Sequence, residues 1–92
     1  MLNIKYDAVV DRAMKEIEVI DPETIKYLGG LIVSKIYGAS DKGKFFVDVD
    51  LSEYDINMAA WAILATQKSG FYTRFTDQGD GTKSVRIFWM GI

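Results

Sequence analysis

The sequence predicts one α+β domain over residues 1–92, built in the order α-α-β-α-β-β, with a three-stranded, mainly antiparallel sheet and helices packed on it. Three observations predict this class. Three segments carry apolar residues at helical spacing, three short segments bounded by turn residues read as strands, and 92 residues leave room for one core only. A hydrophobic fraction of 49%, 26% charged residues and a single Pro are the composition of a folded chain rather than a disordered one.

Tyr6, Val9, Val10, Ala13, Met14 and Ile17 form an apolar stripe opposite Asp7, Asp11, Arg12, Lys15, Glu16 and Glu18, which predicts an amphipathic first helix. Asp21-Pro22-Glu23-Thr24 supplies an N-cap, a Pro at the first helical position and an acidic first turn. A second helix follows, with Ile25, Leu28, Ile32 and Ile36 on one side. Gly29-Gly30 in its middle implies either an interruption or a neighbouring backbone packed closely, and close packing is the expectation.

Gly38 to Gly43 reads as a turn-rich break, after which Phe45, Val47, Val49 and Leu51 alternate with Phe46, Asp48 and Asp50 in a first strand. Ser52 and Asp55 resemble a capping box at the head of a third helix that runs to Ser69, with Gly70 just past its end. The stretch Met58 to Ala65 leaves that helix almost no polar face, so it is expected to be covered on more than one side.

Phe71 to Thr76 and Lys83 to Gly91 read as two strands joined by the glycine-containing loop Asp77 to Thr82. The last strand is the most apolar and is expected at the centre, with antiparallel neighbours on both sides. It has large groups on both faces. Val85, Ile87 and Trp89 fall on one side, and Arg86, Phe88, Met90 and Ile92 on the other. The second set either packs under the N-terminal helix or meets a second subunit or another protein.

Several chemistries have no support in these residues. Without His or Cys there is no imidazole base, no Ser-His or Cys-His nucleophile, no His-ligated metal and no disulfide framework. Asp48-Val49-Asp50 at a strand end resembles the Asp-x-Asp nucleophile loop of haloacid-dehalogenase-type phosphatases, but that chemistry also needs a Lys and acidic metal ligands held on a larger frame. Asp48, Asp50, Glu53 and Asp55 lack the spacing of a calcium loop and suit a solvated strand edge and a helix start. Gly79-x-Gly81 lies in a hairpin and is a turn. No catalytic residue, cofactor or metal is expected.

The formal charge is −2, with a local surplus of two positive charges over residues 61–92, where Lys68, Arg74, Lys83 and Arg86 outnumber Asp77 and Asp80. Tyr72, Arg74, Arg86 and Phe88, with Lys83 nearby, give an aromatic and basic mixture of the kind that single-stranded nucleic-acid binders use. The acidic balance and Asp48 and Asp50 on the same face oppose that reading. The apolar run Met58 to Ala65 is far shorter than the ~18 residues of a membrane span, and the first residues contain no signal-like apolar core, so a cytoplasmic chain with no membrane partner is expected.

From Leu28 to Trp89, the apolar helix, the Gly38-x-x-x-x-Gly43 break, a strand, Leu51-Ser52, Gly70-Phe71-Tyr72 and the closing Ile87-Phe88-Trp89 resemble a pattern common in small phage- and prophage-encoded proteins. The resemblance implies a viral non-enzymatic protein, either a virion accessory or one of uncharacterised function, located in the host cytoplasm or the virion, and transfers no functional residue. The expected function is non-enzymatic interaction or assembly. The chain would bind itself or another protein, with Tyr72, Arg74, Arg86, Phe88, Met90 and Ile92 at the contact. The alternative is a single-stranded nucleic-acid-binding module.

Overall fold

The computed structural model describes residues 5–90. Helices α1 (Tyr6–Ile20), α2 (Pro22–Asp41) and α3 (Ile56–Lys68) and strands β1 (Phe46–Asp50), β2 (Tyr72–Asp77) and β3 (Lys83–Phe88) follow the expected order α-α-β-α-β-β. The sheet order is β1-β3-β2 with both pairings antiparallel, so the most apolar strand is central. All three helices lie on one side of this sheet or on each other. α2 packs on β1, α3 on β2, and α1 on α2 and α3.

The core follows from the period of each element. Val49, Val85 and Ile87 reach it from the sheet, with Leu51 just past β1, and Ile25, Leu28 and Ile32 from α2. Met58, Ala59, Trp61 and Ala62 add the face of α3, and Met14 is the buried residue of α1. The nearly all-apolar α3 is covered by the sheet and by both other helices, as its composition requires. Val10 and Ile17 also pack on the core with Met14, but Tyr6, Val9 and Ala13 of the expected α1 stripe are exposed, so only the narrower Val10-Met14-Ile17 side of that stripe meets the core.

Asp21 caps α2 as expected. Its carboxylate accepts from the Thr24 N–H at 3.2 Å and from the Thr24 hydroxyl at 2.8 Å. The expected break at Gly38 to Gly43 starts too early, since α2 continues to Asp41 and turns only at Gly43, whose φ is +75°. Helical backbone through Gly38 costs about 1 kcal/mol relative to Ala, and burial of Ala39 on the core offsets it. The capping box at Ser52 is also corrected. Asp55 itself is the N-cap of α3, accepting from the Met58 N–H at 2.8 Å. Ser52 instead closes the end of β1. Its hydroxyl donates to Asp50 at 2.6 Å and accepts from the Lys83 N–H at 3.0 Å. Gly70, at φ +97°, ends α3 just past Ser69.

The glycine pair of α2 lies inside a continuous helix, but no backbone approaches it. A Cβ at Gly29 would stand 3.7 Å from Cη2 of Trp61, an ordinary contact, and a Cβ at Gly30 would meet nothing within 4 Å. Gly30 therefore costs helix stability without a packing return, and Gly30→Ala is expected to stabilise the fold by about 0.5–1 kcal/mol, read as a raised midpoint in urea at unchanged slope. Trp61 fills the space beside α2, and its buried indole N–H has no acceptor among the described residues, a cost of about 1–3 kcal/mol that its packing must exceed.

Candidate functional site

Side chains alternate across a strand, so each residue that points from β3 into the core leaves a neighbour on the opposite, helix-free side. Strand register arranges that side into rows. Phe46, Phe88 and Tyr72 stand abreast, then Asp48, Arg86 and Arg74, then Asp50, Ser84 and Thr76. The result is an aromatic band beside a charged band beside a short polar band.

The aromatic band is ordered by its own contacts. Tyr72 stacks on Phe88 with ring centroids 5.5 Å apart and planes 20° from parallel, and Phe46 flanks Phe88 from the other strand. The guanidinium of Arg86 lies 4.4 Å from the centroid of Phe46, which joins the charged band to the aromatic one. Phe46 is 41% exposed, Tyr72 56% and Met90 52%, so this band faces solvent. A groove of about 410 Å³ runs through it, lined by Phe45, Phe46, Arg74, Arg86, Phe88 and Met90.

In the charged band Arg86 donates to both oxygens of Asp48, from Nε at 2.8 Å and from Nη2 at 3.1 Å. This two-point bond holds the Asp48 carboxyl below its ordinary value of 3.8, helped by the guanidinium charge and opposed by slight burial, and it raises Arg86 in turn. Asp50 is likewise lowered, by the Ser52 hydroxyl and backbone N–H. Arg74 stands directly across from Arg86 and makes no ion pair among the described residues. Two like charges abreast on neighbouring strands are unfavourable, and the Asp48 carboxylate relieves only the central one.

The lowered carboxyl of Asp48 sets a pH dependence. The native state binds this proton less readily than the unfolded chain, so the pair stabilises the fold fully above about pH 3.8 and loses that effect as pH falls through the lower native value. Asp48→Asn is expected to lower the melting temperature at neutral pH. Melts taken from pH 7 to about pH 2.5 should show the gap to wild type closing at the acid end.

Of the residues singled out from sequence, Tyr72, Arg74, Arg86, Phe88 and Met90 do share one face, and Ile92 lies outside the described residues. The option that this set packs under the N-terminal helix is overturned, since α1 contacts α2 and α3 on the far side of the sheet. Lys83 does not join the face, because it has the parity of Val85 and Ile87 and is half-buried. Phe45 does not enter the core with Val47 and Val49. It is 53% exposed, and its carbonyl accepts from the Trp89 N–H at 3.1 Å at the sheet's end. Phe46 and Asp48 belong to the site and were missing from the sequence-derived set. Their alternation with Val47 and Val49 was the available signal.

Asp48 and Asp50 are each engaged in local bonds, to Arg86 and Ser52. No group of three His, Cys, Asp or Glu stands together as a metal site among the described residues. No helix among those residues is long and apolar enough to cross a membrane. Comparison with protein-family models, curated proteins and solved structures gives no match.

Proposed function

We propose that this chain is a non-enzymatic interaction or assembly protein that works by burying its helix-free sheet face against another protein surface. The observation that carries the reading is the band Phe46–Phe88–Tyr72, three aromatic rings abreast on a face that no helix covers among the described residues. Aromatic residues, Met and Arg are the residues enriched at protein contacts, and this face holds all three kinds around one groove. The absence of any imidazole or thiol supports a binding rather than a catalytic role. An assembly role also suits the resemblance to small phage-encoded proteins. Phe88→Asp tests the reading. In a folded variant it should abolish self-association or partner binding, and unchanged behaviour in both would sink the proposal.

Single-stranded nucleic acid is the second reading, favoured by one observation. Phe88, which stacks on Tyr72, and two arginines line the same groove, as base stacking and phosphate contact require. Against it, Arg86 is already paired with Asp48, and the net charge is −2. A filter-binding titration across salt separates the two. Salt-sensitive retention of oligonucleotide, lost in Arg74→Ala and in Arg86→Ala, would replace the protein-contact reading.

A further inference from the structure

We infer that the occupant of the sheet face is a second copy of this chain, docked face to face about a two-fold axis parallel to β3, with Arg74 of each copy opposite Asp48 of the other. This inference rests on the reading of the face as a protein contact and adds the partner and its orientation.

The order of the three strands and the rows across them carry the inference. β3 is central, with β1 and β2 on either side. A two-fold axis along β3 keeps the strand direction and exchanges left for right, so β1 of one copy lies over β2 of the other. Each row then meets itself reversed. Phe88 faces Phe88, Phe46 faces Tyr72, and Asp48 faces Arg74 on both sides of the axis, while on the axis itself Arg86, held by its own Asp48, faces Arg86. The alternative axis, across the strands, lays β1 on β1 and β2 on β2. Centred on the charged row, that axis sets carboxylate on carboxylate and Arg74 on Arg74, and it lays the aromatic row over Asp50, Ser84 and Thr76. Arg86 meets Arg86 under either axis through the charged row, but only the axis along β3 sets Asp48 against Arg74 while keeping aromatic row on aromatic row. Arg74, without an anion among the described residues of its own chain, receives one from the partner.

The size of the face fixes the strength expected. Three strands at about 4.8 Å spacing and six residues at about 3.3 Å rise give a footprint of about 300 Å², before side-chain relief, against roughly 800 Å² per partner in a standard interface. The dimer is therefore weak and concentration-dependent. Two sheets packed this way form an aligned sandwich with the helices outermost, the usual solution for two half-covered sheets.

The test is a charge exchange between copies. Arg74→Glu places a carboxylate opposite Asp48, and Asp48→Lys places an ammonium opposite Arg74, so each variant alone should dimerise at least about tenfold more weakly than wild type. Mixed in equal amounts they form a heterodimer in which both cross-axis pairs are opposite in sign, and association should return to within about threefold of wild type. Sedimentation equilibrium reads this, with melting curves to confirm that each variant is folded. Failure of the mixture to recover, while Phe88→Asp still dissolves the wild-type dimer, overturns the orientation and leaves the face as the contact. A wild-type chain that stays monomeric at every concentration overturns the second copy as occupant, and the face then serves a different protein. Dimerisation unaffected by Phe88→Asp overturns the reading of the face itself.

Discussion

Ile87→Ala is expected to remove about 2–5 kcal/mol of folding stability, the usual cost of truncating a fully buried Ile. Ile87 has no exposed surface and sits in the central strand between Val47 of β1 and Thr73 of β2. Its side chain therefore belongs to the layer on which α2 and α3 both rest. The loss combines the transfer energy of the removed carbons with the cavity they leave, and a strand paired on both sides has little freedom to collapse into that cavity. A chain of this size has about 5–14 kcal/mol of stability in all, so the variant loses a large share of it. Thermal melts should show a fall of about 10–30 °C. A fall of under about 5 °C would mean that the central layer is loosely packed.

Phe88→Asp, one residue along the same strand, is expected to act on association instead. Phe88 is only half-buried and points to the open face, where it stacks on Tyr72 and lies beside Phe46. An aromatic side chain at the centre of a contact is the kind whose loss costs 2 kcal/mol or more of binding, about thirtyfold or more in the dissociation constant, and a buried carboxylate with no partner adds to that. The fold should lose much less, because none of the core side chains is touched. Met90→Asp provides a control at an exposed residue of the same groove, beyond the end of β3, where strand pairing is not disturbed. Both variants should associate more weakly at nearly wild-type melting temperature. Ile87→Ala should show the opposite pattern at temperatures where it remains folded.

The fold was legible because each element carries a local signal that tertiary structure did not need to overrule. Asp21-Pro22 announced the start of α2, and the double-sided last strand announced its central place. Boundaries failed where two local signals competed. Gly38 reads as a stop, yet the helix continues one turn because Ala39 is buried on the core. Ser52 reads as a cap, yet its hydroxyl is taken by the Lys83 backbone, 31 residues away in sequence, which no local pattern reveals. The candidate face was legible as a parity statement about one strand, which placed Arg86, Phe88 and Met90 together. Its completion by Phe46 and Asp48 depends on the register of β1 against β3, and register is set by the whole hydrophobic pattern rather than by either strand alone.

Light scattering coupled to size exclusion, run on the wild-type chain from about 10 μM to about 1 mM at moderate salt, tests burial of the sheet face most directly, because the expected contact is small and hence weak. Self-association through the face predicts a mean mass that rises from 10.4 kDa toward twice that value with concentration, while Phe88→Asp stays at 10.4 kDa throughout. A wild-type dimer whose mass curve Phe88→Asp leaves unchanged would contradict it.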